Sequence, residues 1–272
     1  IGQNNDHLDA DASVSLVKEE LVSLDQVYDV ERSKWDAIAA EAMPQLRELA
    51  PESTFASHLR NSLITHGIAE FLGDVRGKKV LEYGCGLGLI STLLAKSGAH
   101  VVSFDLSPAS VAVARQRAAL NHVEVELAVA AGEHLPYADE SFDIIFGKAI
   151  LHHLDVNIAV SDLYRVLKKG GKAAFAEPMG MNPILNFVRD GVWYPHKHPR
   201  GADKPLTYDE IAAWGKQFSS FTFREVQLLS MLERGLGFGK RLKALRRADD
   251  WLLERFPSLR RYCRYVVMLM EK

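Results

Sequence analysis

Apolar residues change their spacing near residue 78. Over residues 13–72 they recur at helical intervals: Val14, Leu16, Val17, Leu21 and Leu24, then Val27, Val30 and Trp35 through Ile38, then Leu59, Leu63, Ile64 and Ile68. Pro44 and Pro51 divide this region into separate helices. Downstream, strand-like runs at 78–83, 99–104, 123–129, 142–147 and 171–177 alternate with helical segments at 88–97, 108–120 and 156–167. Ser107 and Pro108 supply a helix cap and a first helical residue. Gly170 and Gly171 after RVLKK stop the third of these helices and turn the chain into the next strand. Five strands alternating with helices predict parallel βαβ units in a doubly wound sheet. Residues 178–206, rich in Pro, His and Gly, read as an irregular cover segment. A helix at 207–217, a strand at 219–229, a basic helical stretch at 231–256 and a strand at 262–270 follow. The chain therefore reads as α/β, with a mostly parallel seven-stranded sheet over 73–272 and an N-terminal helical cover over 1–72. The cover segment 178–206 and a helical insertion at 231–258 complete it.

Composition narrows this only a little. The 272 residues are 47% hydrophobic and 25% charged, with a net charge of −2. That balance gives no reason to expect a nucleic-acid partner. No apolar run reaches the ~18–20 residues that span a bilayer. Cys85 and Cys263 form neither a disulfide framework nor a metal-ligand cluster. The expectation is a soluble, cytoplasmic, reduced protein.

The stretch VLEYGCGLGLIS at 80–91 places glycines between a strand and a helix. A dinucleotide-binding turn spaces its glycines G-x-G-x-x-G. Gly84 and Gly86 fit that spacing, but Leu89 stands in the third place and Gly88 comes one residue early. A P-loop is excluded, because no Gly-Lys-Ser/Thr follows. Asp105 ends the second strand, where a carboxylate can accept both hydroxyls of a ribose. Turn and carboxylate together favour an adenosine-containing ligand, dinucleotide or other, over a bare turn.

VLEYGCGLGLIS, VVSFDLSP, GEHLPYADESFDIIFGKAILHHL and RVLKKGGKAAFAEP, taken in that order, resemble the class I S-adenosylmethionine-dependent methyltransferases. The resemblance covers roughly residues 70–180. It implies a Rossmann-like methyltransferase fold, S-adenosyl-L-methionine as cofactor and S-adenosyl-L-homocysteine as product. It further implies that the turn Gly84, Cys85, Gly86 and Gly88 packs against the methionine part of the cofactor. Glu82 then orders the turn or meets the amino group, Asp105 binds the ribose, and Leu106 lies beside the adenine. Family members often carry Asp where this chain has Ala131, which shifts adenine recognition to Gly132 and Glu133. Lys148 joins the cofactor-binding set, with an anionic substrate as its alternative partner.

The family places the acceptor above the strand ends. Candidate lining here is Tyr28, Trp35, His152, Glu177, Asn182 and His198, with Trp193 as a further aromatic of an apolar cover. His153 and His196 are the candidate general bases for transfer to oxygen. His196 and His198 have a metal-like i, i+2 spacing without companion ligands, so no metal is expected. The basic stretch 240–264 carries Leu242, Leu245, Trp251, Leu252 and Phe256 as an expected buried face, and serves as substrate cover or as a homodimer contact. The predicted activity is methyl transfer to oxygen, nitrogen or carbon of a small molecule, with no nucleic-acid partner. Two alternatives stay open: a macromolecule methyltransferase, and a cofactor-binding protein doing cyclase-type chemistry. Exocyclic-amine enzymes carry Asn/Asp-Pro-Pro-aromatic where this chain reads GKAILHH.

Overall fold

The computed structural model describes residues 24–191, 204–232 and 242–272. Val14 through Leu21, Trp193, His196 and His198 lie outside the described residues.

Seven strands form one sheet: β1 (Lys79–Tyr83), β2 (His100–Asp105), β3 (Glu126–Val129), β4 (Phe142–Lys148), β5 (Leu167–Pro178), β6 (Ser220–Val226) and β7 (Tyr265–Glu271). Their order is β3-β2-β1-β4-β5-β7-β6. The first five run parallel, and β7 lies antiparallel between β5 and β6. Strands covered on both faces are apolar nearly throughout. Leu81, Tyr83, Phe104 and Phe175 enter the core on one face, whereas Val80, Val101, Phe146 and Ala174 enter the other. Helices α4 (Leu89–Lys96), α5 (Pro108–Leu120) and α6 (Val156–Val166) make the crossovers. Ser107 caps α5, its hydroxyl accepting from the Ser110 amide at 2.9 Å, and Pro108 is the first helical residue.

Upstream lie α1 (Leu24–Ala42), α2 (Phe55–Asn61) and α3 (Ile68–Leu72). Pro44 sits in a 3₁₀ turn that follows α1 directly. Asp36 of α1 accepts hydrogen bonds from the Ser107 hydroxyl at 2.5 Å and the Ala109 amide at 3.4 Å. That contact fastens α1 over the start of α5. Phe55 anchors α2 edge-on against Phe146, with ring centroids 5.5 Å apart. Ile68 and Leu72 share the core of Val80 and Phe146, so α3 belongs to the layer beneath the sheet.

Three local expectations are corrected. Helix α6 ends at Val166 and β5 begins at Leu167, ahead of the glycine pair. The register against β4 jumps between Phe142 and Ile144, and Gly170 takes φ +70° there, so the glycines make an irregularity within the strand. Segment 178–206 contains a helix, α7 (Pro183–Gly191), which Asn182 starts by accepting from the Ile184 and Leu185 amides. Helix α8 (Tyr208–Gly215) follows, with a Thr207–Glu210 capping box. In α9 (Leu242–Arg255) Trp251 is 61% exposed, and Phe256 just beyond is 46% exposed. Asp249 and Leu253 are buried instead. Asp249 turns inward because its carboxylate accepts three amides, from Leu228, Leu229 and Ser230, and the Ser230 hydroxyl.

Candidate functional site

Between β1 and β4 the strand order changes direction, and the crevice outside the strand ends opens there. It holds a cavity of about 350 Å³, within the ~300–1,000 Å³ of small-molecule sites. Its floor is the turn after β1. Gly84 and Gly86 have φ of +71° and +48°, a region open to glycine at no steric cost. The Cys85 amide donates to the Phe104 carbonyl at 2.9 Å, which ties the turn to β2. A Cβ on Gly84 would meet Ile150 at 2.7 Å. At Gly86 the nearest such contact is Trp35 at 3.8 Å, so an indole faces bare backbone there. Gly88 does not line the cavity. It caps α4 at φ +73°, and a Cβ there would lie 2.5 Å from that of Ala114. Its lack of a side chain lets α4 and α5 approach.

Asp105 is 8% exposed and lies on the cavity wall. One carboxylate oxygen accepts from the Gly86 amide at 2.8 Å and the other from the Ser107 amide at 3.0 Å. Burial raises its pKa, and these amides together with that of Leu106 work against the rise. Glu82 also reaches the cavity, at 4% exposure. It accepts hydrogen bonds from the hydroxyls of Ser91 and Ser103. Burial pushes its pKa up to about 8, against the pull of those hydroxyls and with a smaller upward push from Asp105. Burial likewise raises the Cys85 thiol well above its ordinary value.

Phe104, Leu106, Ala130, Ala131 and Gly132 form an apolar slot beside Asp105. The Gly132 carbonyl accepts the Tyr83 hydroxyl. Glu133 is buried and does not line the cavity. Its carboxylate turns across the chain to the Asp155 amide at 3.4 Å. The slot wall at Ala131 therefore presents backbone and methyl groups.

The opposite wall comes from the loop after β4 and from α1 and α2. Two adjacent histidines part ways there. His152 is buried, its Nδ1 2.9 Å from Glu177, whose other oxygen accepts the Ile150 amide at 3.0 Å. His153 lines the cavity, its Nδ1 3.7 Å from Glu31 of α1. The two rings touch at a tilt of 41°, with centroids 3.9 Å apart. His152, Glu177 and Asn182 thus brace the loops and do not line the cavity, whereas Tyr28, Trp35, Lys148 and His153 line it. Sequence reasoning passed over Glu31, His58 and Ile150, all on the cavity wall. Tyr28, Glu31 and Trp35 fall at i, i+3 and i+7, one helix face, and that spacing was the available signal for Glu31. Among the described residues, no group of three or more His, Cys, Asp or Glu is arranged to hold a metal ion.

A glycine floor, a ribose-height carboxylate and an apolar slot are what an adenosine-bearing ligand with a polar amino-acid tail requires. Comparison with known proteins points the same way. A family model described as a methyltransferase domain matches residues 81–175. The chain is 34% identical over 159 residues to the ubiquinone biosynthesis O-methyltransferase of Alkalilimnicola ehrlichii, covering 58% of this chain and 62% of that one. It is 31% identical over 204 residues to the enzyme of the same name from Pseudomonas fluorescens, covering 71% and 84%. Among solved structures it resembles Haemonchus contortus phosphoethanolamine N-methyltransferase 2 in complex with S-adenosyl-L-methionine (22% identity, TM-score 0.54, 75% of this chain and 51% of that one). It also resembles the [4+2]-cyclase SpnF (17% identity, TM-score 0.55, 92% and 97%). At these identities both structures speak for the fold alone.

Proposed function

The chain belongs to the class I S-adenosylmethionine-dependent methyltransferases, and on that premise we propose that it methylates an oxygen of a small-molecule acceptor. The observation that carries the proposal is one cavity in which the glycine floor and Asp105 face His153 and Glu31. The curated relatives named as O-methyltransferases support the choice of oxygen.

When bound, S-adenosylmethionine supplies a methyl group already activated on a sulfonium. Gly84 and Gly86 leave room for close backbone approach to its amino-acid part. Asp105 keeps acceptor capacity beyond that used by its amides, with which it can meet the ribose hydroxyls. Phe104, Leu106 and Ala130–Gly132 enclose the adenine. Glu82, held in place by Ser91 and Ser103, keeps the turn in register and offers the cofactor amine a carboxyl oxygen. Trp35 and Tyr28 cover the site and exclude water. His153 takes the acceptor's hydroxyl proton, and the Glu31 carboxylate beside it favours the imidazolium that results. The remaining work is positioning, which supplies much of the rate when reactants are held close.

The same reading places the enzyme in the cytoplasm. In support, Cys85 and Cys263 are free and buried. The exposed Trp251 and Phe256 support a homodimer contact through the basic segment 240–264. Labelled-methyl transfer from S-adenosylmethionine to a panel of phenols, matched anilines and protein or RNA extracts tests the central claim. Label on phenols alone is expected; label confined to anilines or macromolecules overturns it.

A further inference from the structure

We propose that Lys148, with His58 beside it, forms an anion subsite that selects an acceptor carrying a carboxylate on an apolar body. This rests on the methyltransferase reading and deepens it.

Lys148 ends β4, one residue past the Gly147–Phe175 pair of the sheet, and its side chain opens into the cavity. Among the described residues it makes no hydrogen bond or ion pair. The carboxylates that line the cavity are engaged elsewhere. Glu82 is held by two serines, Asp105 by backbone amides, and Glu31 and His153 face each other. Among the described residues, Lys148 is thus a lining cation without a counter-charge. His58, from α2, adds a second nitrogen ligand on the same wall. Burial lowers the pKa of both groups, and Lys148 lowers that of His58 further. The remaining lining is dominated by apolar groups: Trp35, Leu87, Leu89, Ile90, Ile150 and Leu154.

Lys148 stays exposed on the cavity wall, and an ammonium bordered by apolar groups draws an anion to itself. The cofactor contributes a sulfonium, and a second cation in the same cavity sharpens the need for a negative group. Two carboxylates can answer, that of the cofactor's methionine part and that of the acceptor. The nucleoside-binding elements, Asp105, Leu106 and Ala130–Gly132, sit at the ends of β2 and β3. Lys148 and His58 instead stand with α2 and the loop bearing His153, on the acceptor side. A flat, apolar acid with a hydroxyl therefore fits, its carboxylate on Lys148 and its hydroxyl toward His153.

The test uses the full chain loaded with S-adenosylhomocysteine and two matched probes, 3,4-dihydroxybenzoate and 3,4-dihydroxybenzamide. Calorimetry is expected to show the acid binding about tenfold tighter than the amide, the factor that one lost charge contact of ~1.4 kcal/mol produces. K148M should erase that preference while leaving S-adenosylhomocysteine affinity within about twofold, and K148R should retain it. Equal binding of the probes by the unaltered chain, or binding of neither, overturns the proposal. So does a K148M protein that loses affinity for S-adenosylhomocysteine, because Lys148 would then serve the cofactor. Failure of the unaltered chain to bind S-adenosylhomocysteine at all would overturn the methyltransferase reading beneath it.

Discussion

The carboxylate of Asp105 and the amide of Gly86 are joined by a 2.8 Å hydrogen bond, so the residue placed to hold the ribose also holds the glycine turn. Asp105→Ala should therefore damage both halves of the cofactor site. A hydrogen bond to a charged group is worth ~1.5–3 kcal/mol, which predicts S-adenosylmethionine affinity reduced roughly 10- to 150-fold. Titration calorimetry reads this directly, and unchanged affinity would remove Asp105 from the site.

Glu82 links folding stability to pH in an unusual direction for a carboxylate. Its folded pKa of about 8 stands above the ordinary value of 4.5. Between those values the folded chain holds a proton that the unfolded chain has released, so stability falls as pH rises through this window. The slope approaches ~1.4 kcal/mol per pH unit for one proton. Glu82→Gln, which stays neutral, should flatten the decline. Urea unfolding at several pH values from 5 to 8 compares the two; parallel profiles would count against a protonated Glu82.

His153→Ala should lower kcat by about 10²- to 10⁴-fold, the usual contribution of a general base. Affinity for S-adenosylhomocysteine should hold, since His153 faces the opposite wall. Glu31→Gln should give a smaller loss of kcat with the same binding. A kcat that survives His153→Ala would point to a nucleophile that needs no base.

Asp36 fastens α1 to α5 through Ser107 and Ala109. Asp36→Ala is expected to cost about 1–2 kcal/mol, as losses of capping side chains do. Hydrogen exchange should quicken in α1, with protection of β1, β2 and β4 unchanged. Uniform acceleration across the sheet would instead mean that α1 unfolds only with the whole domain.

Gly88→Ala adds a methyl group at positive φ against Ala114. Overpacking and left-handed strain together predict roughly 2–4 kcal/mol of destabilisation. Thermal melting checks it, and a melting temperature within a degree of the parent would show that α4 can shift freely from α5.

Local chemistry made much of this legible in advance. Ser107-Pro108 marked the start of α5 because cap and proline act within one turn of chain. Gly84, Gly86 and Asp105 declared themselves through spacing, and all three reach the cavity. Glu31 did not, because its neighbours Asp29, Arg32 and Lys34 read as a solvated helix. Only closure of α1 over the β4 loop buries it to 4% exposure, a tertiary event whose one local signal was the helix face shared with Tyr28 and Trp35. Glu133 misled for the opposite reason. Its position in GEHLPY suggested the adenine, but the Asp155 amide, distant in sequence, draws it away. Trp251 and Phe256 likewise had the spacing of a buried stripe and lie in the open.

The consecutive histidines carry a lesson for genetics. His152 is braced inside by Glu177, while His153 looks into the cavity. Damage at the first should reduce how much protein accumulates in a cell; damage at the second should leave abundance normal and the protein idle. A mutational screen that counts only product would score the two positions alike. Paired with a measure of protein level, the same screen would separate two neighbouring codons into a scaffold and a tool.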